Sequence, residues 1–292
     1  MGQCSSQGRV WSAGAPPNHC AAQTGYWLAT TGYCYPSAML AVLHSAIAIP
    51  LIDLYTIVMA SVSLTLSLAD PEGRKQHWCA RTWCRLIAGT VGMRVRVHGL
   101  ENLPPEGVPV VYMANHQSYM DIPALYGYLP VQFRIIAKES LFKVPFMGWH
   151  LTRAGNIPIN RSNRREAMRS MARAAERIRE GTSVVVFPEG TRSPKGELRD
   201  LKAGSFKLAI SAGVPIVPIT IVGTCKVLVK DSLVFHPHAV EMYVSPAIET
   251  AGTPSSELDD LIARVRSEMA EPLVPLGLAG APERTVRAAV TS

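Results

Sequence analysis

The longest apolar run in the chain, residues 38–69 (AMLAVLHSAIAIPLIDLYTIVMASVSLTLSLA), exceeds the roughly 20 residues that a membrane-spanning helix needs. Pro50 and Asp53 divide it into pieces that are each too short alone. The pattern predicts either one kinked span or two short helices dipping into one leaflet, with a buried core helix pair as the third reading. A central Asp costs ~2.5–3.5 kcal/mol on insertion, which weakens a simple span without excluding it. No basic segment directly precedes the run and no small-residue cleavage signal directly follows it, so it does not read as a signal peptide.

Beyond residue 92 the hydrophobic pattern shortens. MRVRVH at 93–98 alternates apolar and polar positions and predicts a strand with one face buried. Val108 to Met113 is apolar and largely β-branched, the pattern of a buried strand. Further strands are expected at Phe133 to Ala137, Thr182 to Phe187 and Val240 to Val244. Val214 to Val222 is broken by prolines and is expected at a sheet edge or as a kinked element. Residues 164–180 predict an amphipathic helix with Ala167, Met171, Ala174 and Ile178 on one face, and 255–271 predict a second. Arg165, Arg169, Arg173 and Arg177 recur every four residues on the first. Glu166, Glu176 and Glu180 share that face, so a solvated, salt-bridged surface is expected. Docking of anionic lipid or of an acidic carrier protein is the alternative. There is no internal repeat, P-loop or GxGxxG.

Composition narrows this picture. With 48% apolar and 17% charged residues in 292, the chain can bury a substantial core. The net charge of +7 points to an acidic partner. Nucleic acid is a poor fit, because the bases form no polybasic tract with interleaved aromatics and no zinc-finger, homeodomain or RNP-type motif occurs. Six cysteines form no C-x-x-C pair, so zinc and thioredoxin-type chemistry lack support and free thiols in a reducing compartment are expected. Residues 1–37 lack periodicity and read as a loose tail. Met1-Gly2-Gln3-Cys4-Ser5-Ser6 fits a myristoylation pattern, while organised sequence from Met39 raises a start there as a further expectation.

The chemistry concentrates after two strands. Asn115-His116-Gln117-Ser118-Tyr119-Met120-Asp121 follows the first. On one continuous helix, residues five apart lie about 140° apart and would not meet. With His116 in a turn and Asp121 in the first helical turn they can, and a carboxylate on one imidazole nitrogen leaves the other as a base for a hydroxyl. Ser118-x-x-Asp121 is also a capping-box pattern, so a purely structural role stays open. Phe187-Pro188-Glu189-Gly190-Thr191-Arg192-Ser193 ends the second strand, and Arg161 follows Ile157-Pro158-Ile159. A base, its carboxylate and two guanidiniums suit hydroxyl deprotonation beside a bound phosphate. Without a Ser or Cys in a nucleophile elbow, direct transfer is preferred to a covalent intermediate. The mixed apolar and basic stretch from Lys138 to Arg161 fits a groove for an apolar chain with a charged head, or a loop packed on the core.

In these blocks the sequence resembles the glycerolipid acyltransferases. His-x-x-x-x-Asp is His116 to Asp121, the second block is Gly155 to Arg161, the third is Phe187 to Ser193, and the fourth is Val217-Pro218-Ile219. The resemblance covers roughly residues 74–246 and departs at Asn160, where the family often has Asp. It implies an αβ domain whose mainly β central sheet is flanked by helices, preceded by an apolar helical membrane anchor. It implies His116 as general base, Asp121 as its orienting carboxylate, and Arg161, Glu189, Gly190, Thr191 and Arg192 as substrate-binding residues, with no metal or cofactor. The implied donor is acyl-CoA or acyl carrier protein, and the implied acceptor is the lysophospholipid 1-acyl-glycerol-3-phosphate at a membrane lipid surface. Another lysolipid (lyso-ornithine lipid, lysophosphatidylglycerol), a non-catalytic lipid-binding role and soluble acyl-CoA hydrolysis are the alternatives.

The expected organisation is a tail at 1–37, membrane-associated helices at 38–92, a catalytic domain at 93–272 and a frayed tail at 273–292. Arg74, Lys75, Arg81 and Arg85 follow the apolar run, which by the positive-inside rule places the rest of the chain on the cytoplasmic side of the inner membrane.

Overall fold

The computed structural model describes residues 38–160 and 163–280. The expectations for the 1–37 tail and for Arg161 lie outside them. The chain opens with α1 (Ala38–Leu66) and α2 (Arg74–Thr90). The run divided by Pro50 is one helix rather than two. A proline removes one helical hydrogen bond and crowds the preceding turn, which an apolar helix absorbs when neighbours support it. That support is present. Ala41, Ser45, Ala48, Ala60 and Ser63 form a small-residue stripe that is buried, Trp83 Nε1 donates to Thr56 Oγ1 at 3.0 Å and Ser45 Oγ accepts from Phe235 N at 2.8 Å. Leu43, Ile47, Leu54, Val58 and Val62 remain exposed. With its short 3₁₀ extension to Ala69, α1 is long and apolar enough to cross a membrane.

The rest builds a seven-stranded sheet. Its strands are β1 (Met93–His98), β2 (Val111–Ala114), β3 (Arg134–Lys138), β4 (Ile157–Ile159), β5 (Val184–Val186), β6 (Ile216–Val222) and β7 (His238–Val244), in the order β1-β7-β6-β2-β5-β3-β4. All neighbours are parallel except β6 and β7. Between them run α3 (Asp121–Tyr128), α4 (Met147–Arg153), α5 (Arg164–Arg179), α6 (Ala203–Ala212) and the single turn α7 (Thr224–Val227), and α8 (Leu258–Ala270) follows. Alternation along β2 sorts the core into two layers. Tyr112 and Ala114 face the cluster that holds Cys84, Ile87 and Leu125 of α2 and α3, while Val111 and Met113 face Ile178, Phe206 and Val265 of α5, α6 and α8.

Three expectations change. The proline-broken strand is not an edge: β6 lies between β7 and β2. Pro218 directs its backbone away from β2, at the end of β7, where its carbonyl accepts from Ser245 N at 3.0 Å and no donor is needed. The arginine ridge of α5 is not salt-bridged, since among the described residues Arg165, Arg169, Arg173 and Arg177 make no ion pair. Glu166 instead accepts from Asn160 at 2.7 Å, and Arg177 donates to Gly155 O at 2.7 Å. The packed chain also passes residue 272: Leu273 is fully buried, and Leu278 O accepts from Leu198 N at 2.9 Å.

Candidate active site

The parallel strands β6, β2 and β5 are neighbours, so their C-terminal ends deliver three connecting segments to one place. At the end of β2, Asn115 continues the ladder with its side chain. Its Nδ2 donates to Ile221 O at 2.9 Å and its Oδ1 accepts from Ile221 N at 2.6 Å. The chain then turns, and α3 begins at Asp121. Asp121 does not cap that helix. Its Oδ2 accepts from His116 Nδ1 at 2.7 Å, from Gln117 N at 2.8 Å and from Ser118 N at 2.9 Å. His116 thus sits in the turn and Asp121 in the first helical turn, the arrangement the spacing required. The Asp121 side chain is fully buried, whereas 13% of the His116 side chain is exposed. Bonding through Nδ1 leaves Nε2 as the nitrogen that can take a proton from a substrate hydroxyl.

The second segment follows β5. His116 N donates to Glu189 Oε1 at 2.8 Å, and Ser193 N donates to His116 O at 2.7 Å, so both backbone groups of His116 are clipped to this loop. Phe187 stacks on the imidazole with ring centroids 4.2 Å apart. Gly190 adopts φ +72°, a left-handed conformation that favours glycine at this turn. Thr191 is exposed at the rim. The Arg192 guanidinium lies over the Tyr119 ring at 3.8 Å and reaches Asp231 at 3.6 Å. Glu189 is buried, its second oxygen accepting from Arg199 N at 3.3 Å, so its carboxyl holds the loops together.

Burial pushes the Glu189 carboxyl up to about 7, against the two backbone donors that favour its charged form. The unshifted value is 4.5. Between the two the folded state holds the extra proton. Glu189 therefore stabilises the fold fully below the lower value and progressively less as pH rises through the upper one. The unfolding free energy of the wild type, relative to Glu189→Gln, is expected to fall by roughly 2–3 kcal/mol between about pH 5 and 8. Denaturant titrations across that range measure it, and a flat difference would contradict the assignment.

Four residues to which the sequence assigned no role complete the cluster, three of them inside the motif blocks and Thr224 outside them. Thr224, at the start of α7, donates from Oγ1 to Asp121 Oδ1 and is fully buried. Gln117 donates to Gly196 O at 3.0 Å and accepts from Gly223 N at 3.2 Å. Phe187 and Tyr119 supply the ring faces under His116 and Arg192. Thr224 and the Gln117 partner Gly223 lie more than 100 residues along the chain from the dyad. Of the sequence-derived site residues, His116, Asp121, Glu189, Gly190, Thr191 and Arg192 share this end of the sheet. Arg161 falls outside the described residues.

An imidazole held by a buried carboxylate where three strand ends meet is the geometry that the resemblance to the acyltransferases implied. The acyltransferase family profile matches residues 94–222, from β1 to the end of β6. The chain is 36% identical over 206 residues to the chloroplast 1-acyl-sn-glycerol-3-phosphate acyltransferase LPAT1 of Arabidopsis thaliana, covering 70% of this chain and 56% of that protein. It is 32% identical over 223 residues to the Saccharomyces cerevisiae 1-acyl-sn-glycerol-3-phosphate acyltransferase, covering 75% and 72%. The crystal structure of the Thermotoga maritima 1-acyl-sn-glycerophosphate acyltransferase PlsC superposes with a TM-score of 0.72 at 26% identity, over 83% of this chain and 98% of that one. The chain spans about half the length of the chloroplast relatives it matches. It belongs to the glycerolipid acyltransferase family, with the 1-acyl-sn-glycerol-3-phosphate acyltransferases.

Proposed function

We propose that the chain transfers an acyl group from a thioester, acyl-CoA or acyl carrier protein, to the free hydroxyl of 1-acyl-glycerol-3-phosphate, forming phosphatidic acid. The observation that carries this reading is the 2.7 Å bond from His116 Nδ1 to a fully buried Asp121, with the imidazole reaching the rim. His116 Nε2 takes the hydroxyl proton as the oxygen attacks the thioester carbonyl. The C–S bond then breaks, and the imidazolium returns the proton to the departing thiolate. Asp121 holds the tautomer and stabilises the imidazolium. Arg192, with the Gly190-Thr191 turn and Arg161, holds the acceptor phosphate, a task for which a guanidinium's forked donors are suited. Glu189 contributes by fixing the backbone of His116.

The same reading places the catalytic domain, residues 93–272, on the cytoplasmic side of the inner membrane, held by 38–92, because Arg74, Lys75, Arg81 and Arg85 follow α1. Thiol release from acyl-CoA by membranes carrying the chain tests the reaction. Release that requires lysophosphatidic acid supports transfer, and release without any acceptor would mean thioester hydrolysis instead.

Thr224 gives a finer test. Removing a buried hydrogen bond to a charged group costs about 1.5–3 kcal/mol. Thr224→Val is therefore expected to lower kcat about tenfold or more with little change in acceptor KM, while Thr224→Ser retains activity. Equal kcat in the valine and serine variants would remove Thr224 from the positioning of Asp121.

A further inference from the structure

The end of the sheet opposite His116 opens into a groove of about 850 Å³. The turn after α1, the loop before β2 and the N-terminal ends of β3, β4 and β5 form its walls. Of the described residues in the four family blocks, only Gly155 lines it.

Four arginines line it: Arg74, which is paired with Glu72 and Glu106, and three others, Arg134, Arg153 and Arg177. Among the described residues, none of the three has a carboxylate within ion-pair distance. Arg134 donates only to Phe133 O at 3.2 Å and Glu72 O at 3.0 Å, Arg153 to Ser67 Oγ at 3.0 Å, and Arg177 to Gly155 O at 2.7 Å. A guanidinium carries five donors, so most remain available. The acidic residues of the same groove are engaged elsewhere or peripheral. Asp70 accepts from the backbone N–H groups of Arg74 and Gln76 at 3.1 and 3.0 Å, Glu72 and Glu106 face Arg74 at 2.7 and 3.5 Å, and Glu180 is exposed.

Gly155 brings two of the cations together. It adopts φ +77°, and a Cβ there would lie 2.8 Å from Arg177 Nη1 and 3.6 Å from Arg134 Nε. Burial is the largest cause that holds the Arg134 guanidinium below its usual range; the Arg177 charge adds to it, while Tyr126 and Asp70 oppose it. Like charges gathered at one glycine, Arg134 partly buried and Arg177 exposed, repel unless an anion lies between or beside them. Planar guanidiniums recognise phosphate oxygens through paired N–H donors. The groove also begins where α1 ends, at Asp70 to Gly73, so an apolar helix in a bilayer would bring it to headgroup level.

We propose that this groove is a second anion site, which binds a phosphate group through Arg134, Arg153 and Arg177. Two sources carry that chemistry, an anionic phospholipid headgroup and free phosphate. The site is separated from the acceptor pocket by the length of the sheet.

Flotation of the full chain with phosphatidylcholine vesicles, with and without phosphatidic acid, tests it in the wild type and in the double variant Arg153→Gln, Arg177→Gln. Both side chains are exposed, so the fold should survive. Phosphatidic acid should raise wild-type binding, and the variant should lose about tenfold or more of that gain, because each basic residue near an anionic surface contributes ~1 kcal/mol. The acceptor KM, which reads the His116 end, should stay within about twofold. An equal gain in wild type and variant would overturn the proposal. A parallel rise in acceptor KM would overturn it as well, by placing these arginines in the acceptor site. Added inorganic phosphate distinguishes the sources: displacement means that the phosphate group alone suffices, and persistence means that the lipid headgroup on a bilayer is bound. Flotation needs no turnover, so its outcome stands apart from that of the proposed reaction.

Discussion

Replacing His116 by alanine is expected to lower kcat for acyl transfer by about 10²–10⁴-fold, the range that positioned base catalysis contributes. The acceptor KM should change little, because the phosphate-binding groups assigned to Arg192 and the Gly190-Thr191 turn are left in place. The fold should also persist. The contacts that clip this turn to the β5 loop, from His116 N to Glu189 and from Ser193 N to His116 O, belong to the backbone and survive the substitution. What the fold loses is the stack of the imidazole on Phe187, about 0.5–1.5 kcal/mol, and the Nδ1 hydrogen bond to buried Asp121, about 1.5–3 kcal/mol, whose oxygen keeps the Gln117 and Ser118 N–H donors. Steady-state kinetics beside a thermal melt separate the two effects. A folded His116→Ala enzyme with near-wild-type kcat would remove His116 as the base. A variant that lost activity only by unfolding would contradict the backbone argument.

The dyad was legible in the sequence because its elements are local. A strand signal, a five-residue spacing and a helix signal together force His116 into a turn and Asp121 into the next helical turn, and the hydrogen bond follows. The FPEGTR block was legible for the same reason, since it continues a β-branched run. Its inner chemistry was not: Glu189 reads as a ligand group, yet its partners are the backbone N–H groups of His116 and Arg199, which only the packing of two loops supplies. Thr224 and the Gly223 partner of Gln117 are beyond reach of any local pattern, because β6 comes to lie beside β2 only in the folded sheet. The prolines of β6 misled. In β6 the side toward which Pro218 directs its missing donor decides whether it is tolerated, and sequence does not encode that direction. In α1 the chain takes the first of the expected forms, one helix through Pro50, because α2 and the β-domain support it. The paired charges expected on α5 fail because Arg177 and Glu166 find other partners in the fold. The apolar helix α6, only ten residues long, gave no clear periodic signal.

Asp121→Asn is expected to cut kcat by about 10⁴-fold, as when a carboxylate behind a catalytic imidazole is neutralised, while leaving the fold largely intact. The reason lies in the donors around the side chain. Three N–H groups converge on Oδ2, and a hydroxyl, Thr224, faces Oδ1. An asparagine can keep its amide oxygen toward the three N–H groups and turn its NH₂ toward Thr224. A hydroxyl can rotate to accept, so every buried group retains a partner. What disappears is the negative charge that, in the proposed mechanism, stabilises the imidazolium formed when His116 takes the proton. Asp121→Ala differs in a diagnostic way, because it strands the buried N–H groups of Gln117 and Ser118, each at a cost of about 1–3 kcal/mol. The pair of variants therefore separates the two tasks of one carboxylate: both should lose turnover, and only the alanine should show a markedly lowered melting temperature. If Asp121→Asn turned over at near the wild-type rate, the negative charge would have no part in the reaction, and Asp121 would be a structural residue that merely ties the turn to α3.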